Sequence, residues 1–146
     1  MIEYKNLLCP VDFSDSSKSA LRVAIDFAER FQARLHIIHV YQLPASTFPD
    51  GVYDAPDGLE KNLEEQLAIK LDEFIKANSG GSDCAITTTI CEGITHMEIN
   101  QSADELKADM IVMGTHGRTG VSHVLLGSVA ERVVRTSVVP VVTVKK

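Results

Sequence analysis

Four glycines and a serine in the last third of the chain have the spacing to hold an anion. Residues 114–128 read GTHGRTGVSHVLLGS, with Gly114, Gly117 and Gly120 inside seven residues and Gly127 joined directly to Ser128. Glycine permits positive φ and close backbone approach, so successive N–H groups can form an anion-binding nest. A helix beginning near Ser128 adds free N–H groups and a partial positive charge. Arg118 and the hydroxyls of Thr115, Thr119, Ser122 and Ser128 supply further donors, and His116 lies between two of the glycines. No acidic residue falls in this stretch, although the chain holds 20. The chemistry this favours is capture of a phosphorylated small molecule. The stretch is not a Walker A loop, which needs a lysine before the hydroxyl residue, and it lacks the G-x-G-x-x-G dinucleotide fingerprint.

A second candidate group lies far away in sequence. The apolar run YKNLLCPVD, 4–12, ends on an acid, Asp12. It reads as a buried strand. Asp12 serves either as a ligand contact at that strand end or as a simple turn residue, and a position beside a ligand crevice favours the first.

The elements that must position these groups alternate. After the first strand comes a helix with Ser14 or Asp15 as cap and with Ala20, Ala24, Phe27, Ala28 and Phe31 on one face. ARLHIIHVY, 33–41, is a second strand. Residues 42–57 hold three prolines and a glycine, the composition of a lid or binding loop. A helix then runs from about Gly58 to Asn78, with Leu59, Leu63, Leu67, Leu71 and Phe74 inward, and SGG at 79–81 stops it. CAITTTIC is the third strand, ADMIVMG the fourth and VVPVVTVKK the fifth. The third and fourth helices carry capping-box spacing at Thr95/Glu98 and Ser128/Glu131. The third buries Ile99, Ala103 and Leu106, and the fourth buries Val129, Ala130, Val133 and Val134. Strict β-α alternation implies an α/β sandwich with a parallel sheet and right-handed crossovers. In such sheets ligands bind beyond the carboxyl ends of the strands where strand order reverses. Asp12 and the glycine stretch meet there if strands one and four are neighbours.

The complete spacing is G-x-x-G, nine residues, then G-S: Gly114, Gly117, Gly127, Ser128. It resembles the nucleotide-binding signature of the universal stress protein family. The likeness extends to YKNLLCPVDFSDSSKSAL at the start, HVY at the second strand end and GSVAERVVRTSVVPVVTV at the close, in the expected order over residues 3–144. The resemblance implies one α/β domain spanning 1–146: a five-stranded parallel sheet of order 3-2-1-4-5 with four helices on two faces, Rossmann-like and adenine nucleotide alpha hydrolase-like. It implies ATP as ligand, with Mg or Mn, and a homodimer through the last strand, whose apolar edge VVTV would otherwise stand open. Carried over by residue, Pro10, Val11 and Asp12 meet the adenosine, Asp12 accepting from adenine or ribose. Val40 lines the adenine side, and Met113 and Gly114 border the ribose. Gly117, Arg118 and the backbone of Thr119 and Gly120 wrap the phosphates, Thr115 and His116 join them as nucleotide-binding candidates, and Gly127, Ser128 and Val129 complete the cradle. One departure is visible: the family often shows G-x-P after strand three, and this chain has GIT at Gly93–Thr95, a matter of how the third helix begins.

Bulk properties narrow the alternatives. The net charge of −6 argues against general nucleic-acid binding, which rests on Lys and Arg neutralising phosphates. The apolar runs are far shorter than the roughly 20 residues of a membrane span, and MIEYKNLLCPVDFS lacks signal-peptide features, so a cytoplasmic location is expected. Three cysteines, Cys9, Cys84 and Cys91, suggest neither a disulfide framework nor a zinc site. His36 and His39 are three apart on a strand, face opposite sides and cannot form a ligand pair. His123 reads as a polar loop residue. No dedicated base and no phosphate lysine can be identified, so binding is favoured over hydrolysis. The competing readings are a nucleotide-independent interaction module acting on an unknown protein partner, and a slow ATP hydrolase.

Overall fold

Strand β1 (Asn6–Pro10) is apolar on both sides because helices cover both sides of the sheet it centres. Leu7 and Cys9 point into one core cluster together with Val11, and Leu8 points into the other, the period of two expected of a strand. The structure is a computed structural model that describes residues 1–43, 58–117 and 126–146. Most of the proline-rich segment, 44–57, and Arg118, Thr119, Gly120, Ser122 and His123 lie outside the described residues.

The remaining elements follow in alternation: α1 (Asp15–Phe31), β2 (Arg34–Tyr41), α2 (Leu59–Asn78), β3 (Ile86–Glu92), α3 (Thr95–Glu105), β4 (Met110–Gly114), α4 (Ser128–Thr136) and β5 (Val141–Val144). The sheet has order β3-β2-β1-β4-β5 and all pairings are parallel. The expected fold is therefore the observed one, including the decisive adjacency of β1 and β4, where Leu7 pairs with Met110 and Leu8 with Ile111. One core cluster lies between the sheet and α1 and α2, around Leu21, Leu35, Ile37, Leu71 and Val112. The other lies under α3 and α4, around Leu8, Ile38, Ile99, Ile111 and Val133.

Helix α1 shows why its boundaries fall where they do. The Ser14 hydroxyl accepts the Ser17 N–H at 3.1 Å, and Gln32 closes the helix in the left-handed region at φ 53°. Ala20, Ala24 and Ala28 are buried as expected. Phe31 is not: it is 41% exposed at the last turn, where its ring packs on Tyr4 with centroids 5.0 Å apart. Val134 of α4 is likewise 47% exposed, because Ala130 and Val133 already fill the inward face of so short a helix.

Both capping boxes are displaced. The N-cap of α3 is Ile94 and that of α4 is Gly127, and neither helix has a side-chain cap. The Gly127 carbonyl accepts the Glu131 N–H at 2.9 Å and the Ile94 carbonyl accepts the Glu98 N–H at 3.0 Å. Each helix thus enters one residue before its hydroxyl, and Thr95 and Ser128 stand inside the first turn rather than ahead of it. Cys9 is fully buried, and burial pushes its thiol up to about 12, so it is a core residue and no nucleophile at neutral pH. Cys84 and Cys91 are free thiols.

Candidate functional site

The carboxyl ends of β1, β2 and β4 open into a cleft of about 930 Å³. Reversal of strand order at β1, from β1-β2-β3 on one side to β1-β4-β5 on the other, with α1 leaving toward one face and α4 covering the other, is what leaves this crevice. Pro10, Val11 and Asp12 line it from β1, Val40 from β2, and Met113, Gly114, Thr115, His116 and Gly117 from the end of β4. Gly127, Ser128 and Val129 close it at the start of α4. Every expected site residue within the described segments therefore borders one cavity.

Asp12 makes the turn considered for it and also lines the cleft. Its Oδ1 accepts the Ser14 N–H at 3.0 Å, a turn that swings the chain from β1 into α1. Its own N–H donates to Ser17 Oγ at 3.3 Å. The other oxygen, Oδ2, faces Gly117: a Cβ built on that glycine would lie 3.0 Å from it. One carboxylate oxygen holds the backbone and the other is presented to the cleft.

The glycines serve close approach rather than left-handed backbone. Gly114, Gly117 and Gly127 do not have positive φ, and Gly120 lies outside the described residues. A Cβ on Gly114 would fall 2.8 Å from the Ser16 carbonyl carbon, and one on Gly127 would fall 2.9 Å from the Thr115 carbonyl oxygen. Gly114 lets the first turn of α1 sit on the end of β4. Gly127 lets the start of α4 sit on the outgoing loop, where its N–H donates to Thr115 O at 2.6 Å. Gly117 is exposed and borders the cavity, with no backbone contact of that kind among the described residues. Further bonds among the described residues hold the start of the loop. Thr115 N–H donates to Val144 O at 3.1 Å, His116 N–H donates to Ser16 Oγ at 3.3 Å, and the Thr115 hydroxyl and His116 Nδ1 lie 2.9 Å apart.

Electrostatically, the cleft pairs a carboxylate at one end with an open helix start at the other. The first N–H groups of α4 have no intrahelical acceptor, no side chain among the described residues caps them, and Ser128, Val129 and Ala130 line the cavity there. Between the two poles the walls are largely apolar: Ile38, Leu63, Leu67, Ile99 and Met113. Such a site suits a flat apolar body with hydrogen-bonding edges and an anionic tail.

Several lining residues escaped the sequence reading. Ser17, His39, Tyr41, Gln42, Leu63, Leu67, Thr95 and Ile99 all border the cavity. Strand-end position was a usable signal for His39 and Tyr41, whereas Leu63 and Leu67 read only as core. Tyr41 donates its hydroxyl to Glu64 at 2.9 Å, fastening the end of β2 to α2. Burial, followed by the Glu64 bond, raises the phenol above its usual range, so it stays a donor. As expected, His36 and His39 diverge: His36 reaches the Thr87 and Thr89 hydroxyls on β3 at 2.5 and 2.9 Å, and His39 faces the cleft. Among the described residues no group of three or more His, Cys, Asp and Glu side chains could hold a metal ion, and no helix is long and apolar enough to cross a membrane.

Comparison with known proteins agrees with this geometry. Residues 3–145 match the sequence model of the universal stress protein family. The chain is 39% identical over 145 residues to universal stress protein MJ0531 of Methanocaldococcus jannaschii, spanning 98% of this chain and 83% of that one. The solved structure of MJ0577, a universal stress protein of the same organism, is 30% identical and superposes with a TM-score of 0.84, covering 99% of this chain and 98% of its own. A universal stress protein solved in complex with cAMP is 26% identical with a TM-score of 0.72, over 99% of this chain and 98% of its own.

Proposed function

The chain belongs to the universal stress protein family, and from that premise we propose that its cleft binds an adenine nucleotide, ATP foremost, and that occupancy is the signal the protein conveys in a cytoplasmic stress response. The observation that carries this reading is the meeting, in one cavity, of the Asp12 carboxylate with the uncapped start of α4. Asp12 Oδ2 accepts from adenine or ribose, and Val11, Val40 and Met113 flank the adenosine. Gly117 and the N–H groups of Ser128 and Val129 face the phosphates, with Gly127 bordering them at the helix start, continued by Arg118, Thr119 and Gly120. The relative bound to cAMP supports an adenine nucleotide as the ligand class. A divalent cation, Mg or Mn, enters through the nucleotide's own phosphates, since the described residues offer no cluster to hold one alone. Binding, rather than turnover, is the activity proposed.

Asp12→Asn tests the carboxylate. The amide oxygen can keep the turn with Ser14, while an NH₂ donor replaces the acceptor presented to the cleft. ATP affinity measured by calorimetry should fall about tenfold or more, the scale of a hydrogen bond to a charged group, with the melting temperature unchanged. Undiminished affinity would remove Asp12 from the site.

We also propose a homodimer through β5, an edge strand paired only with β4. The Pro140 and Val144 carbonyls accept from Ile111 and Thr115 on β4, so Val141 and Thr143 direct their backbone groups outward. Thr143→Pro removes an outward donor without breaking the β4 ladder. Sedimentation velocity should find the parent dimeric and the variant monomeric; a variant dimer would exclude this edge.

A further inference from the structure

One residue touches both neighbours of Asp12. His39 is 3% exposed, on the inner side of β2. Its Nδ1 lies 2.8 Å from the Val11 carbonyl oxygen. Since a carbonyl only accepts, Nδ1 carries the proton and donates. The same ring packs against Phe13, with centroids 4.5 Å apart and planes at 43°. Val11 and Phe13 flank Asp12 in the chain, so a single imidazole grips the backbone before the carboxylate and the side chain after it.

Phe13 is the strained member of this arrangement. Its φ is 66°, in the left-handed region that a bulky residue seldom enters. Such outliers persist when surrounding contacts over-determine them, and they cluster at functional sites. Here the contacts are visible. Besides His39, the edge of Phe74 meets the Phe13 ring at 5.5 Å and 83°, and the Lys70 ammonium lies 4.3 Å from its centroid. The Asp12–Ser14 turn spans Phe13, so Asp12 Oδ1 is engaged by Ser14 N–H only while Phe13 keeps this conformation. With Oδ1 turned to the Ser14 N–H, Oδ2 lies toward Gly117 and the cleft.

We propose that His39 is a positioning residue of the binding cleft: by donating to the Val11 carbonyl and packing on Phe13, it clamps both sides of Asp12 and fixes which carboxylate oxygen meets the ligand. Its consequence for affinity rests on the adenine-nucleotide reading above; its effect on the Asp12 turn does not.

The test compares His39→Phe, which keeps an aromatic ring against Phe13 and removes the donor, with His39→Asn, whose amide nitrogen stands near the place of Nδ1 and restores it. ATP affinity should drop about tenfold in His39→Phe, the scale of one lost hydrogen bond, and recover most of that loss in His39→Asn. Amide exchange at Ser14, followed by NMR without ligand, should quicken in His39→Phe and slow again in His39→Asn. If both variants fold poorly, the ¹⁵N shifts of the parent imidazole still decide the matter, because the clamp requires a proton on Nδ1. An unprotonated Nδ1, or parent-like affinity and Ser14 exchange in His39→Phe, would overturn the proposal. Failure of the parent to bind any adenine nucleotide would instead sink the reading of the cleft, with Ser14 exchange and the Nδ1 proton still judging the clamp.

Discussion

Gly117→Val is expected to leave the protein folded while weakening ATP binding about a hundredfold, a loss of ~2.8 kcal/mol. Gly117 is exposed, lacks positive φ, and among the described residues a Cβ added there meets only Asp12 Oδ2, at 3.0 Å. That atom is the far end of a side chain and can yield by a few tenths of an ångström. Stability should therefore change by no more than the roughly 0.5 kcal/mol of an ordinary surface substitution. The cleft has no such latitude. Two further methyl groups would stand between the Asp12 carboxylate and the start of α4, across the path an anionic tail must follow. The urea midpoint and the ATP dissociation constant, measured on the same preparation, separate the two effects. A variant that binds ATP as the parent does would show that the phosphates run elsewhere.

Gly114→Val should do the reverse and act on the fold. The added Cβ would lie 2.8 Å from the Ser16 carbonyl carbon and 2.9 Å from its oxygen. These are backbone atoms in the first turn of α1, whose cap is made by Ser14 and whose Ser16 and Ser17 are buried. Neither β4, held between β1 and β5, nor the capped end of α1 can move alone. Overpacking of this kind costs about 3 kcal/mol at its upper end, which lowers the melting temperature of a chain of this length by about 10 °C. Thermal denaturation without ligand reads it directly, and a melting temperature within a degree or two of the parent would mean that α1 does not bear on Gly114. The pair of variants divides the glycine stretch: Gly114 builds the floor of the cleft and Gly117 leaves its mouth open.

That division marks the limit of what the residues disclose on their own. The spacing of Gly114, Gly117, Gly127 and Ser128 locates the cleft, because only strand-end and helix-start positions carry such a pattern. It does not say what each glycine accommodates. Gly114 and Gly127 accommodate other backbone, a tertiary fact created by residues such as Ser16 that are distant in sequence. Short apolar strands separated by periodic helices disclose a parallel α/β sandwich but not its strand order; that order is implied only by the family resemblance, and the observed order matches it. Helix starts were legible to within one residue. Thr95 and Ser128 have capping spacing, yet the chain is already helical at each, since Ile94 and Gly127 supply the first accepting carbonyls. Phe13 left no sequence signal at all: its left-handed φ comes from the Asp12 turn and from rings on β2 and α2. His39 was read only by what it could not do with His36, and its contacts with Val11 and Phe13 emerge once β2 lies beside β1.

The most direct test of the account uses the protein as purified. Denaturing it and identifying any released nucleotide by chromatography and mass spectrometry, followed by calorimetric titration of the emptied protein with ATP and with adenosine, examines ligand class and phosphate recognition together. The account predicts an adenine nucleotide near one per chain, or saturable ATP binding to the emptied protein, with ATP clearly tighter than adenosine. Neither a released nucleotide nor ATP binding would contradict it, and so would equal affinity for ATP and adenosine, which would leave the start of α4 without a phosphate to hold.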